Sequence, residues 1–325
     1  MKQEDFTVAF EPRWRALEAW LDRPAPEGPD DRDIPHLFRQ VCGHLALARE
    51  RGYSLALQER LNGLVLRAHQ RLHGSQARLQ SAWLRYVRED FPRLVRREWR
   101  LVALSSLLLY GPYAAMGLWV RHRPEAAYLV MDPTDLARFE DMYRPDRESL
   151  GPGREADTDV AMFGFYIRNN IGLDFRCFAW GIFLGVGTML FLVLNGLHFG
   201  TVEGHLVNAG LARTFYGFVA GHSALELTGA VLAGAAGMKL GFALLAPGRR
   251  TRREALREAA GTSVRMLYGT AAMTLMAAFV EAFWSSNAAL PFPVKIGFGL
   301  FMALVVAAYF LLMGRTFRRK GPHAG

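Results

Sequence analysis

The chain has 325 residues and a formal net charge of +9; 51% of its residues are hydrophobic and 21% are charged. Charged residues dominate the first hundred positions and long uncharged runs follow, so we expect a soluble segment and then a membrane domain. Much of the positive charge borders the apolar runs, as in membrane proteins, which argues against nucleic-acid binding. The two cysteines, Cys42 and Cys177, have no disulfide or metal-binding spacing, which fits a reducing cytosolic face.

Residues 1–98 are predicted to form a cytosolic helical domain. Apolar side chains recur at intervals of three and four residues in 34–51 and 57–72, and another helix is expected at 6–21. Gly52 follows the second of these helices, where a C-terminal cap is expected. The first residues contain no apolar run of the kind found in signal peptides, so no cleaved signal is expected.

Residues 99–320 are predicted to form the transmembrane domain. The uncharged run 101–120 is long enough to cross about 30 Å of hydrocarbon. Further crossings are predicted at 177–196, 214–246, 266–286 and 296–314. The polar stretch 121–173 is expected to be an extracytoplasmic loop that ends in an interfacial amphipathic helix at 162–175. The basic segments 247–258 and 315–320 indicate that both termini lie in the cytosol.

Five crossings, however, cannot place both termini on one side of a membrane. We therefore expect a short sixth crossing or a re-entrant hairpin at 206–221, where Asn208 and Arg213 would be tolerated if they were buried in protein. The alternative is that one orientation is wrong. The predicted fold class is an all-α, polytopic helical membrane protein with an N-terminal soluble helical bundle.

An imidazole and a carboxylate lie one helical turn apart in the apolar segment 221–241. His222 and Glu226 are four residues apart, so they share one helix face and can form a hydrogen bond. A charged carboxylate in hydrocarbon costs on the order of 3 kcal/mol, so this face is expected to point into the bundle, with Glu281 as a distant partner. We favour a buried polar clamp between helices, or a hydrated pair near the membrane face. The alternatives are a proton or ion site, a metal half-site or a substrate contact.

No complete catalytic site is visible, and no cofactor is expected. The sequence at 221–225 has Leu225 where a nucleophile elbow needs its second glycine, which argues against a serine hydrolase. His222 and Glu226 alone do not supply the three or four ligands of a zinc site, so no metal site is predicted. Asn169 and Asn170 precede a predicted crossing and are expected to cap its helix or to form interfacial hydrogen bonds.

Small residues recur at a spacing of four in the membrane half. The positions predicted to be in close helix contacts are Gly181, Gly185, Gly217, Gly221, Gly234, Gly237 and Gly241. Glycines at this spacing let two helix backbones approach closely and gain dispersion contacts that lipid cannot match. These helices are therefore expected to pack within the chain or across a homodimer.

Five short motifs lie in the membrane half: YIRNN at 166–170, LNG at 194–196, HSALEL at 222–227, GAAG at 234–237 and EAF at 281–283. With these motifs the membrane half resembles the stage II sporulation protein M-like (SpoIIM-like) integral membrane proteins of bacteria. The soluble half is similar to the N-terminal region of the non-sporulation members, in LALARERG at 45–52, RLNGLVLRAH at 60–69 and DFPRLVR at 90–96. The chain departs from the family at Ser223 and at Thr228–Gly229, but the spacing of His222 and Glu226 is kept.

The resemblance implies a non-enzymatic scaffold or assembly component of a bacterial cell-envelope complex, located in the inner (cytoplasmic) membrane. The sporulation namesake helps to assemble a peptidoglycan-hydrolysing complex and is not itself the hydrolase. The implied partners are other membrane or envelope proteins, a MoxR-type AAA+ ATPase and von Willebrand-type proteins. The residues themselves leave open a second function, a transporter or channel that uses His222, Glu226 and Glu281.

Overall fold

The computed structural model describes residues 2–22, 33–73, 82–146, 159–287 and 289–315. The described residues form helices joined by short turns and contain no β-strand, which confirms the predicted all-α class. The chain divides into two compact units, Met1–Arg85 and Tyr86–Gly325. The division falls before the predicted boundary at residue 98, because Tyr86 and Phe91 pack on the membrane helices. The Tyr86 hydroxyl donates to the carbonyl of Arg265, and the Phe91 ring contacts Phe310.

In the first unit, α1 (Gln3–Asp22), α2 (Ile34–Glu50) and α3 (Leu55–His73) pack together as a bundle. Their apolar stripes meet in one core whose fully buried members include Trp14, Leu17 and Leu61. Gly52 ends α2 as predicted: it has φ +63° and donates its N–H to the carbonyl of Arg49. Only glycine adopts this left-handed conformation without steric cost. The unit therefore has a hydrophobic core of its own.

The described residues of the second unit form nine further α-helices, which we number α4 to α12 in chain order. They are α4 (Phe91–Arg97), α5 (Trp99–His122), α6 (Pro133–Met142), α7 (Asp159–Tyr166), α8 (Gly172–Ala179), α9 (Val186–Asn208), α10 (Ala212–Leu245), α11 (Arg252–Val280) and α12 (Phe292–Leu312). Three π-helical segments lie at Tyr86–Asp90, Ile167–Ile171 and Glu281–Ser285, and 3-10 turns lie at Pro124–Leu129 and Trp180–Ile182. Within the described residues, five helices are long and apolar enough to cross a membrane: α5, α9, α10, α12, and α11 with its π-helical extension.

The crossing predicted at 177–196 is misplaced. The helix breaks at Phe183–Gly185, where Leu184 and Gly185 have φ values of 56° and 82°, and α9 begins at Val186. The apolar character of the sequence continues across this break, so a hydrophobicity window does not reveal the turn. The helix α9 continues to Asn208. The hairpin expected at 206–221 therefore does not form. That stretch is the end of α9, a short turn and the beginning of α10.

The segment 159–182 passes through the bundle in place of that hairpin. The Phe163 ring contacts Phe279, farther along Asp174 accepts a hydrogen bond from Thr274, and Gly181 lies against Gly237. The first two contacts move backwards along α11, so the segment runs antiparallel to that helix, and the contact with Gly237 places the end of the segment against α10. At about 1.5 Å per residue, these 24 residues span roughly 36 Å. The polar loop predicted at 121–173 therefore ends early, because from residue 160 onwards one face of the chain packs against the bundle.

In the part of the chain that the structure describes, the five apolar helices and the segment 159–182 place the beginning of α5 and the end of α12 at one end of the bundle. Arg96 donates to the carbonyl of Phe310, and Lys239 near the end of α10 forms an ion pair with Glu98, which precedes α5. We call this the basic end, since Arg97, Arg100, Arg249, Arg250, Arg252 and Arg253 also lie there. The opposite end holds the α9–α10 turn and the connection from α11 to α12.

Glycines hold the passes together by direct backbone contact within the chain. A methyl group added at Gly181 or Gly241 would overlap the backbone of Gly237 or Gly185 respectively, and one at Gly237 would lie 2.6 Å from Thr188 Oγ1. We call Gly181, Gly185, Gly237 and Gly241 the glycine seam. Of the other predicted positions, Gly221 and Gly234 also pack tightly, against Ser285 and Ser105, whereas Gly217 has only ordinary contacts.

A second glycine contact joins α5 and α9. The glycines Gly196, Gly200 and Gly204 face the backbone or side chains of Leu109, Tyr113 and Val120. Their spacing of four residues was visible in the sequence. It was missed because the predicted crossing ended at residue 196.

Candidate functional site

Three titratable side chains meet inside the second unit. His222 and Glu226 project from neighbouring turns of α10, and Glu281 begins the π-helical extension of α11. One ligand-type atom of each residue lies within 4.8 Å of those of the other two. His222 is 4% exposed and Glu281 8%, whereas the Glu226 side chain is 29% exposed. Glu281, which was predicted to be a distant partner, is therefore a direct neighbour of His222 and Glu226.

His222 and Glu226 share a helix face but do not form a hydrogen bond with each other. The distance from His222 Nε2 to Glu226 Oε2 is 3.7 Å, longer than an N–H···O hydrogen bond. The other ring nitrogen, Nδ1, lies 2.9 Å from the hydroxyl of Ser285. The imidazole also meets the ring of Phe218 edge to face, with 5.3 Å between the ring centroids. The imidazole thus contacts Ser285 and Phe218, and its Nε2 lies near the Glu226 carboxylate.

The asparagine pair reaches the same cluster. Asn170 donates a hydrogen bond of 3.0 Å from Nδ2 to Glu281 Oε2, and Asn169 donates to the side-chain oxygen of Asn170. Both residues lie in the π-helical segment Ile167–Ile171, and Asn170 is buried. The expected helix cap is therefore wrong for Asn170, since the helix continues through it. Its amide orients a carboxylate within the bundle.

A further carboxylate, Asp174, lies one helical turn beyond Asn170. It is 3% exposed and accepts a 2.6 Å hydrogen bond from the hydroxyl of Thr274. An added methyl at Gly229 would lie 3.5 Å from Asp174 Oδ2, so the absent side chain at this glycine makes room for the carboxylate. Asp174 was not singled out from the sequence, because the stretch that contains it is amphipathic and was expected to lie in the membrane interface. The signal was a single acidic residue between apolar neighbours.

Several charged groups elsewhere in the unit form ion pairs. Arg121 donates to Glu203 at 2.6 Å, and Lys239 donates to Glu98 at 3.0 Å. Among the described residues, no lysine or arginine forms an ion pair with Glu226 or Glu281.

Two residues near the cluster were not singled out from the sequence. Lys295 of α12 is 3% exposed, and its ammonium donates a 2.9 Å hydrogen bond to the carbonyl of Ser285. Tyr143 lies in the turn after α6; burial, together with the nearby carboxylates of Glu281 and Glu226, raises the pKa of its hydroxyl. The lysine was visible as a lone charge in an apolar run. Nothing in the sequence placed Tyr143 near these carboxylates.

The arrangement can bind a cation or exchange protons, because it places an imidazole, which can be neutral or protonated, beside two carboxylates. The sequence indicated only two ligands, which disfavoured a metal site, and Glu281 adds a third. A catalytic zinc site uses three protein ligands and keeps one position open. The Ser285 hydroxyl lies 2.9 Å from the imidazole, and both groups are buried.

Comparisons with known proteins assign the two parts of the chain separately. Residues 106–286 match the family described as Stage II sporulation protein M (SpoIIM), and residues 4–74 match one described as a domain of unknown function (DUF8413). No curated protein and no solved structure matches the chain. The first match spans more than half of the 325 residues and contains His222, Glu226 and Glu281. The chain therefore belongs to the stage II sporulation protein M family, whose membrane region includes the whole buried cluster.

Proposed function

We propose that this protein is a non-enzymatic assembly component of a bacterial cell-envelope complex, embedded in the cytoplasmic membrane. The observation that carries the proposal is the backbone-to-backbone packing along the glycine seam and between α5 and α9. Helices in such contact have little freedom to separate or slide, so the bundle is suited to hold partners in fixed positions. Membership in the family supports the same role, since its name refers to a stage of sporulation.

The orientation follows from the charge at the two ends of the bundle. Arginines concentrate at the basic end, in the approach to α5 and in the α10–α11 loop. Cytoplasmic loops of membrane proteins carry an excess of lysine and arginine, so this end faces the cytosol. Both chain termini then lie on the cytosolic side, and the first unit is available to soluble partners there.

The first unit is the docking module in this proposal. It has its own core and a surface rich in charge, in which Arg60 binds the carboxylates of Glu11 and Glu18. A soluble cytosolic partner, of the AAA+ ATPase class implied by the resemblance, would bind this unit while membrane or envelope proteins, including von Willebrand-type proteins, bind the bundle.

The proposal is tested by mild extraction of the tagged protein from its native membrane and identification of stoichiometric partners. We expect a cytosolic protein and envelope subunits to co-purify with the full chain. A chain lacking residues 2–85 should insert into the membrane and keep the membrane partners, but lose the cytosolic one. Residues 86–97 are retained in this variant because they pack on the membrane helices. Capture of the cytosolic partner by the truncated chain would contradict the docking role.

A second candidate function is proton-coupled transport, and the cluster of His222, Glu226 and Glu281 is the observation that favours it. Ionisable residues inside a membrane domain mark ion or substrate pathways in many proteins. In liposomes, Glu226→Gln should then abolish a pH-driven flux that Glu203→Gln leaves intact, since Glu203 is paired with Arg121 outside the cluster. If the wild type shows no such flux, transport is contradicted and the assembly role is the remaining candidate.

A further inference from the structure

The three side chains of the cluster have the composition and placement of a metal-ligand set. We propose that His222, Glu226 and Glu281 bind one divalent transition-metal cation, of the class of Zn²⁺ or Mn²⁺, inside the membrane bundle. Their ligand atoms lie within 4.8 Å of one another. In a tetrahedral zinc site with bonds of about 2.0–2.1 Å, ligand atoms are roughly 3.4 Å apart, so small side-chain rotations close the set.

The hydrogen bond between the imidazole and Ser285 leaves the other ring nitrogen, Nε2, near the Glu226 carboxylate. When Nδ1 carries the proton and donates to Ser285 Oγ at 2.9 Å, Nε2 is an acceptor. Glu226 Oε2 lies 3.7 Å from Nε2 and is an acceptor as well when ionised. Two acceptors that face each other at this separation, with no hydrogen bond between them, suit a cation placed between them.

The residues behind the ligands form the outer shell that metal sites require. Ser285 fixes the imidazole, and Asn170 donates to Glu281 Oε2 at 3.0 Å and so orients that carboxylate. Ligating histidines and carboxylates are commonly oriented by such second partners. The segments that carry Asn170 and Glu281 are both π-helical, a local distortion that is frequent at functional sites.

The charge balance also favours a divalent cation. Two ionised carboxylates and a neutral imidazole carry −2, and a divalent cation neutralises them without a buried excess charge. The other charged groups at hand already have partners: Lys295 bonds the Ser285 carbonyl, and Asp174 accepts from Thr274. An imidazole ligand and only three protein donors disfavour Ca²⁺, which takes six to eight oxygens.

The test is metal binding by the full-length protein, purified in detergent without a histidine tag and stripped with a chelator. After incubation with Zn²⁺, Mn²⁺ or Mg²⁺ and desalting, bound metal is measured by elemental analysis and thermal stability by size-exclusion after heating. The wild type should retain about one equivalent of Zn²⁺ or Mn²⁺, melt at a higher temperature with that metal, and retain no Mg²⁺.

The variants separate a metal site from a merely structural cluster. Glu281→Gln and Glu226→Gln remove ligand charge and should lose the bound equivalent, while Asn170→Ala, which leaves all three ligands, should weaken affinity by about 10–100-fold. His205→Gln is the matched control, because His205 forms a separate contact with Glu140, and it should bind like the wild type. If a variant fails to fold, the wild type is titrated with Co²⁺ instead. Absorption bands of a nitrogen- and oxygen-bound ion should then appear at one equivalent.

Two outcomes would overturn the proposal. One is a wild type that retains no more metal than Glu281→Gln. The other is metal retention that His205→Gln, rather than the cluster variants, removes. The experiment does not depend on the assembly role, because it measures metal on the isolated protein and needs no partner.

Discussion

The glycine seam allows a sharp prediction because two glycine-to-alanine substitutions should change stability in opposite directions. In Gly241→Ala the new methyl group would overlap the backbone nitrogen of Gly185 and the carbonyl oxygen of Gly181. Neither atom can move aside alone, since each belongs to the chain backbone. Gly297→Ala is the matched control, in another membrane helix, where nothing lies within 4 Å of the added methyl.

The magnitudes follow from two competing effects. Alanine is favoured over glycine in a helix interior by about 0.5–1 kcal/mol, so Gly297→Ala should be neutral or slightly stabilising. Overpacking of a well-packed site costs about 1–3 kcal/mol, and contact with backbone on both sides places Gly241→Ala in the upper part of that range. After the helix-propensity gain, the expected net loss is about 2 kcal/mol. For a unit of this size that corresponds to a fall of about 4–8 °C in Tm.

The assay is the fraction of detergent-purified protein that stays monodisperse after heating over a series of temperatures. Gly241→Ala should lose the monodisperse peak at a lower temperature than the wild type, and Gly297→Ala should not. Equal melting of the two variants would refute the inference that α10 and the turn at Gly185 are in backbone contact.

Three further predictions concern single polar contacts. Burial lowers the pKa of His44 below its usual 6.5, and its Nδ1 accepts a hydrogen bond from Trp14. Because the unfolded chain binds the proton more readily than the folded one, the stability of a fragment of residues 1–85 should be full above pH 6.5 and fall as the pH drops below it. Thermal melts over a pH series measure this dependence. Thr274→Val leaves Asp174 without its hydroxyl donor and should cost about 1–3 kcal/mol, whereas Asp174→Asn keeps an acceptor and should melt no lower than the wild type. Thr251→Ala removes the capping box of α11 and should cost about 1 kcal/mol.

Each of these predictions has its own control. His44→Gln should flatten the pH dependence between pH 5 and 7, and an unchanged slope in that variant would assign it to another group. Equal melting of Thr274→Val and the wild type would show that the Asp174 hydrogen bond does not matter for stability. For the cap, Thr262→Ala makes the same substitution inside α11, where alanine is the better helix former. A loss at Thr262 as large as the loss at Thr251 would contradict the capping role.

The sequence determined the class of the protein and much of the composition of its site. Four of the five apolar helices lie where the uncharged runs predicted them, because a run of about 20 apolar residues gains enough by entering hydrocarbon to fix its own position. The shared face of His222 and Glu226 followed from the 3.6-residue period alone. The cap at Gly52 followed from local backbone sterics.

The pass through 159–182 could not be predicted in this way. Asn170 and Asp174 make the segment look too polar for a bundle interior, and a hydropathy sum counts their full cost of burial. In the folded chain that cost is offset by Glu281 and Thr274, which come from a distant helix. The break at Gly185 was hidden for the opposite reason, since the residues on both sides of it are apolar.

The tertiary structure alone decided what surrounds the imidazole. Helical periodicity places two side chains on one face, but it does not state which residue of another helix that face meets. The meeting of Glu281, Ser285 and Asn170 with His222 depends on the π-helical ends of two segments and on how closely the glycines let the helices approach. Each helix carries chemistry that can be read from its own residues, whereas the cluster exists only because packing brings three separate segments to one point.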